Sequence, residues 1–400
     1  MSHRLRALLT SFLVVCAPLR AGEGPAPVEC QTARWAKLER LEHPDAAHMK
    51  QEKFLPLLEH HDPEIRAAFG RGDPPSSQVL LHYARGWEEA SGPVPVLLVH
   101  GAGLTANHCY ADRPIEQPFE GLAARLARSG RAVFALTFAH PHGDNFLQAE
   151  ALALAIARVR EVTGKKQVDL VAHSKGGMAS RIYLSDAGPQ WATRYRGDVR
   201  RYVMLGTPNG GIDVSFAYPN LNYWILEQKS PAPLCWLDGL YYGVRKDFTA
   251  QSIYAAGGAF PGQSQMLRRW DDRYGKTRSK GQFDVETTYE GGKGQVSTSL
   301  GIDVAIEEGG RTIERLARKG IAPGVQLCVL AGTQPWVVGL VGERRGPSDG
   351  LLLVASVREL GPLTQRGAKV LRNDLRCWNH LQLVYEPGAN DWVLEALEQE

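Results

Sequence analysis

The sequence predicts an α/β protein: a doubly wound, mostly parallel sheet with an inserted cap region and an N-terminal helical extension. Three observations carry that prediction. The segments around residues 94–99 and 168–171 are short, nearly continuous apolar runs, as expected of central parallel strands covered on both faces. Such runs alternate with stretches of helical spacing over residues 94–207, the pattern of βα units. The stretch VDLVAHSKGGMASRIYL, residues 168–184, reads as a strand, a sharp turn at Ser174 and a helix on which Met178, Ile182 and Tyr183 recur at helical spacing.

Length and charge bound the answer. A chain of 400 residues suggests two domains or one decorated domain, at roughly 100–200 residues per domain. Lys plus Arg (46) against Asp plus Glu (43) gives a net charge of +3, and the basic residues are scattered, which sets nucleic acid aside as a partner. Residues 1–21 look like a secretory signal peptide: Arg4 and Arg6 precede the apolar run 7–15, and Ala21 is a small residue at a cleavage point. A secreted or periplasmic chain is therefore expected, with no transmembrane segment after cleavage, because no later run reaches roughly 18 apolar residues. An oxidising compartment would allow one or two disulfides among Cys30, Cys109, Cys235, Cys328 and Cys377 and leave at least one thiol. Cys328, in an apolar run, is expected in the core. No cysteine pair has metal-finger spacing, and no metal is expected.

In chain order, residues 22–77 read as a helical extension, anchored by Trp35, Leu38 and Leu41 and then Phe54, Leu55, Leu57 and Leu58. Asp62, Pro63 and Glu64 start a short helix with a cap, a first-turn proline and an acidic residue. His60 and His61 are expected at the surface, because adjacent helical residues do not share a face for a metal. The core is assigned to 78–211 and 323–400. It holds strands near 79–81, 94–99, 132–138, 168–172, 201–207 and 325–331, helices over 118–128 and 146–163, a helix near 352–360, a short strand near 369–371 and a closing helix over 390–400. Residues 212–322 interrupt the alternation and hold 14 of the 33 aromatic residues, which suggests an inserted cap ending in a helix over 312–319 stopped by Gly320. Tyr218, Tyr223, Trp224, Tyr241 and Tyr242 are its candidate substrate contacts.

The chemistry centres on Ser174. The run Ala172-His173-Ser174-Lys175-Gly176 fits the nucleophile-elbow pattern with Ala in place of the first Gly; the turn is so tight that the residues two before and two after the nucleophile must be small. A Ser hydroxyl is a poor nucleophile at neutral pH and needs a base, an acid to orient the base, and donors for the oxyanion. The segments HGAG, AHSKGG, GTPNGG, SDG and NHL occur in this order. They resemble the α/β-hydrolase superfamily and, within it, bacterial secreted lipases and esterases. The likeness covers residues 94–211 and 325–385 and fades over the extension and the cap.

The resemblance implies Ser174 as nucleophile, Asp349 as acid and His380 as base, in the chain order this fold uses. Oxyanion donors would be the backbone N–H groups of Ala102 and Lys175, with Gly101 and Gly103 allowing close backbone approach. His100 and His173 flank these donors and are candidate substrate contacts. His140 and His142 with Asp144 could instead reach a metal, though ordinary polar loop residues are the simpler reading, and Asp391 is the rival acid. Lys175 is unusual, since a cation at a helix N-terminus is unfavourable by roughly 0.3–1 kcal/mol. Its ammonium would either reach a carboxylate of the cap or an anionic part of the substrate, or lie in solvent. The implied activity is hydrolysis of carboxylic esters, lipase-like on acylglycerols or other acyl esters at a lipid–water interface, with no cofactor. The same machinery would serve an acyltransferase, an amidase or a polyester depolymerase. A non-catalytic binding protein on this scaffold would have no need for Ser, Asp and His together.

Overall fold

The computed structural model describes residues 28–30, 32–54, 58–111, 120–188, 193–214, 260–270, 292–293, 296–297, 302–336 and 346–399. Residues 1–21, read as a signal peptide, lie outside these, as do the five aromatic cap residues Tyr218, Tyr223, Trp224, Tyr241 and Tyr242.

One nine-stranded sheet organises the chain. Its strands are β1 (Val28–Cys30), β2 (Lys37–Glu42), β3 (Gln78–Tyr83), β4 (Val96–Val99), β5 (Val133–Phe138), β6 (Val168–His173), β7 (Val199–Leu205), β8 (Gln326–Gly332) and β9 (Lys369–Arg376). Their spatial order is β1-β2-β3-β5-β4-β6-β7-β8-β9. From β5 to β9 every neighbouring pair is parallel, whereas β1, β2 and β3 join by antiparallel pairing, with β3 antiparallel to β5.

Helices cover both faces. On one, α3 (Asn145–Thr163) and α4 (Gly176–Leu184) bring Leu152, Ile156, Met178 and Ile182 against Leu97, Val99, Leu170 and Met204. On the other, α2 (Leu122–Arg128) and the C-terminal helix (Pro387–Glu398) bring Leu126, Trp392 and Val393 against Val96, Leu98, Val171 and Leu330. Successive residues of each central strand point to opposite faces, and both faces are dry, so these strands read as continuous apolar runs. Cys328 is buried in the second of these cores. Caps set helix ends: Asp144 accepts the Phe146 N–H at 2.8 Å before α3, and Gly164 at φ 66° ends it.

The N-terminal segment corrects the expected helical extension. Residues 37–42 form a strand that pairs with β3, and the only helix of any length before β3 among the described residues is α1 (Pro63–Phe69), capped by Asp62. The spacing of Trp35, Leu38 and Leu41 imitates a helix because the alternation of β2 is hidden by a buried Glu39. That carboxylate lies at 0% exposure, where the Tyr83 hydroxyl and the Arg158 guanidinium (2.9 Å) both donate to it. Leu38 and Leu41 fall in opposite cores.

His60 is likewise buried, against the expectation of a surface pair: its Nε2 meets the Ala139 carbonyl at 2.7 Å and its ring stacks on Phe69. The disulfide expectation is also corrected among the described residues: Cys30, Cys109, Cys328 and Cys377 carry thiols, and Cys109 and Cys328 are packed in the core. Cys235 lies outside the described residues.

Buried histidines make the fold acid-sensitive. Burial pushes His60 down to about 4 and His82 and His100 down to about 3, from an ordinary 6.5. The unfolded chain therefore binds more protons below pH 6.5, so this stability is present above that pH and is lost as pH falls toward the folded values. The unfolding free energy measured in urea should drop between pH 6.5 and 4, each histidine contributing about 1.4 kcal/mol per pH unit. His82→Gln should flatten that slope by one histidine's share; an unaltered slope would show that His82 is not neutral in the fold.

Candidate active site

The turn after β6 is built from what its neighbours exclude. Ser174 has φ 51°, a left-handed conformation that costs a non-glycine residue of order 1–3 kcal/mol. Two glycines let α4 start immediately beyond it. A Cβ at Gly176 would lie 2.7 Å from the Val99 carbonyl oxygen and closer still to that of His100, and one at Gly177 would strike the Thr207 side chain. Ala172 is fully buried in β6 on the near side. The result is selective exposure: through residues 168–185 every residue is buried except Ser174.

Asp349 and His380 arrive on loops beyond the C-terminal ends of β8 and β9, where an open parallel sheet places its crevice. Asp349 Oδ2 accepts from His380 Nδ1 at 2.8 Å, and its Oδ1 accepts the N–H groups of Leu351 (3.0 Å) and Leu352 (2.7 Å). The His380 N–H also donates to the Asp349 carbonyl at 2.8 Å. A carboxylate acceptor fixes the proton on Nδ1 and leaves Nε2 as the basic nitrogen. His173, one residue before Ser174, brings this pair to the elbow: its Nε2–H donates to the His380 carbonyl at 3.0 Å, and the two rings lie 4.7 Å apart. Gly206, at φ 54°, leaves room behind them, since a Cβ there would sit 3.1 Å from both Asp349 Oδ2 and His380 Nδ1.

The loop after β4 closes the other side. A Cβ at Gly101 would stand 3.0 Å from Ser174 Cβ and 2.9 Å from His173 Nδ1, so the oxyanion loop touches the elbow directly. Among the described residues, the N–H groups of Ala102 and Lys175 have no protein acceptor. His100 explains how the first is aimed. Its Nε2 accepts the Phe138 N–H at 3.2 Å while its Nδ1–H donates to the Gly101 carbonyl at 2.8 Å. That carbonyl and the Ala102 N–H belong to one planar trans peptide and point in opposite directions. Pinning one end therefore directs the other.

His100 and His173 are each 1% exposed, His100 with both ring nitrogens on backbone groups and His173 with Nε2 on the His380 carbonyl, which corrects the expectation that they contact substrate. Lys175 also differs from expectation. Its side chain is 1% exposed rather than in solvent, and its ammonium donates to the Gly143 carbonyl at 2.6 Å and to Gln148 Oε1. The rival residues are occupied elsewhere. His140 accepts the His142 N–H at 3.0 Å and meets the Lys53 carbonyl at 3.1 Å; His142 meets Gln263 at 3.0 Å; Asp391 pairs with Arg125 at 2.7 Å on the surface. The roles of His100, His173 and Gln148 were not legible in the sequence, because each acts through a backbone or long-range contact that carries no motif.

The strain at residue 174 has a measurable consequence. Ser174→Gly, which adopts φ 51° freely, should unfold at higher free energy than Ser174→Ala by roughly 1 kcal/mol, despite the glycine's greater unfolded-state entropy. The opposite order in denaturant titrations would mean that the turn is relaxed.

Residues 75–221 match a family described only as a domain of unknown function, DUF7379. Solved structures with a similar course of chain include the propeptide form of the lipase BlEst2 of Bacillus licheniformis, at 15% identity and a TM-score of 0.43 over 78% of this chain. They also include the esterase Pf2001 of Pyrococcus furiosus (12%, 0.41, over 80% of this chain and 85% of that one). A third is the carboxylesterase CesB of Bacillus subtilis (12%, 0.36, over 80% and 88%). The chain spans about half, 52%, of the BlEst2 propeptide form. With a mostly parallel sheet, a tight turn at Ser174 and Asp349 and His380 on loops beyond β8 and β9, the chain has a doubly wound α/β fold.

Proposed function

We propose that this chain is a secreted serine hydrolase that cleaves carboxylic esters, lipase-like on acylglycerols or other acyl esters, through an acyl-enzyme on Ser174. The observation that carries the proposal is the Asp349–His380 pair, bonded at 2.8 Å and tied through His173 to a strained, solvent-open Ser174. A buried Asp–His pair costs desolvation, and stability alone gives no reason to place it beside the half-buried Ser174 at a strained turn.

In the first half-reaction His380 Nε2 takes the Ser174 proton as Oγ attacks the ester carbonyl. The carbonyl π pair moves to oxygen, which receives the N–H groups of Ala102 and Lys175. Collapse breaks the bond to the alcohol, and His380 returns the proton to that leaving oxygen. Water then repeats the sequence, losing its proton to His380 and releasing the acid and Ser174. Asp349 keeps the imidazole in the right tautomer and stabilises its cationic form without taking the proton itself. Removing either oxyanion donor would cost about 3–4 kcal/mol of barrier. Secretion is supported by the basic and apolar leader over residues 1–21.

Profiling with p-nitrophenyl esters of increasing acyl length should reveal hydrolysis that Ser174→Ala abolishes while circular dichroism stays unchanged. Asp349→Asn should retain fold and lose about 10⁴-fold in kcat, through the wrong imidazole tautomer. Absence of hydrolysis for every acyl chain, together with no labelling of Ser174 by a fluorophosphonate, would overturn the proposal.

A further inference from the structure

Lys175 carries more structure than an oxyanion residue needs. Its ammonium is enclosed by three segments distant in sequence. The loop after β5 and the start of α3 supply the Gly143 carbonyl at 2.6 Å and the Gln148 side chain. Residues 260–265 form a roof: a Cβ at Gly262 would lie 2.5 Å from Lys175 Cε and 2.8 Å from Nζ. That roof is fastened by Asn145, whose side chain donates to the Gly262 carbonyl and to Gln265, both at 2.9 Å, and by the Gly262 N–H on the His142 carbonyl at 3.1 Å.

The third segment, from the N-terminal part of the chain, brings Glu52. This carboxylate is 6% exposed; it accepts the Asp144 N–H at 2.6 Å and the Ser76 hydroxyl at 2.9 Å. It also reaches within 2.8 Å of where a Gly143 Cβ would stand, beside the carbonyl that Lys175 binds. Burial pushes the Lys175 ammonium down and the Glu52 carboxyl up from their ordinary values, and the charge of each opposes the other's shift.

Stability does not account for this arrangement. Burying an ammonium and a carboxylate costs desolvation that apolar side chains of equal volume avoid, and a cation at the start of α4 also opposes the helix dipole. A methionine would fill the same space without either cost. The ammonium does what methionine cannot: it makes directional bonds that fix its own main chain, one residue after the nucleophile.

We propose that Lys175 is a positioning residue, whose enclosed ammonium, bonded to Gly143 and Gln148 under the Gly262 roof and in the field of the Glu52 carboxylate, fixes the Ser174–Lys175 peptide so that its N–H faces the reacting oxygen. This rests on the ester-hydrolase reading of the same site. It also makes the N-terminal segment part of the machinery, through Glu52.

The test uses the full chain with Lys175→Met, Lys175→Met/Glu52→Gln and the milder Gln148→Leu, reading kcat and KM on a p-nitrophenyl ester, the rate of Ser174 labelling by a fluorophosphonate, and the thermal midpoint. Lys175→Met should lose about tenfold to a hundredfold in kcat, with KM within about twofold and labelling slowed in parallel. The double variant, left with no unpaired charge, should regain the wild-type midpoint while its kcat stays low. Gln148→Leu should lose kcat in the same sense by a smaller factor. A folded double variant with wild-type kcat, or a Gln148→Leu enzyme with unaltered kcat, would overturn the positioning role and leave the hydrolase reading intact. A wild-type chain that neither hydrolyses nor labels would overturn both.

Discussion

The site depends on how closely α4 approaches the two strands beside it. Gly176 lies on the carbonyls of Val99 and His100, and Gly177 lies on Thr207, with no space for a methyl group at either position. This contact forces the chain to turn within a single residue, and that residue is Ser174 at φ 51°. Its strain is of order 1–3 kcal/mol, offset by the burial of the strand before it and the helix after it. The same contact brings the start of α4 against the loop carrying Gly101 and Ala102, so the candidate nucleophile and both candidate oxyanion donors are set by one packing constraint.

Around this turn, order is maintained by buried neutral histidines, His100 bound at both ring nitrogens and His173 at Nε2. His100 spans β5 and the oxyanion loop, and His173 spans the elbow and the carbonyl of His380. Burial pushes both well below an imidazole's usual range, which keeps stray positive charge away from the base. The Lys175 ammonium is drawn away from the cleft into its own enclosure by the Gly143 carbonyl and Gln148. In the proposed reaction the charges that matter for proton transfer are thus Asp349 and the imidazolium that would form on His380.

The sequence made the sheet legible where both faces are apolar: the runs of β4, β6, β7 and β8 appear at their places because covered parallel strands leave no polar alternation to misread. Helix α3 ends at Thr163, the last predicted position, and starts one residue earlier than predicted, since Asp144 and Gly164 mark its limits chemically. The edge was harder. Glu39, buried only because Tyr83 and Arg158 reach it from 44 and 119 residues away, broke the pattern of β2 and made a strand look helical. His60 looked solvated for the same reason, its acceptor being the carbonyl of Ala139. The turn at Ser174 and the meeting of Asp349 with His380 were legible because tight turns and chain order leave motifs. The environment of Lys175 was not, because Glu52, Gly143, Gln148 and Gly262 share no spacing and meet only in space.

The account turns on whether Ser174 carries the acyl group. Rapid quenching of the protein with a p-nitrophenyl ester, followed by intact-mass measurement and peptide mapping, reads this directly. A burst of p-nitrophenol matched by an acyl adduct on the peptide containing Ser174 is the predicted result. Turnover with no adduct at Ser174, or with the acyl group on another residue, would contradict the account.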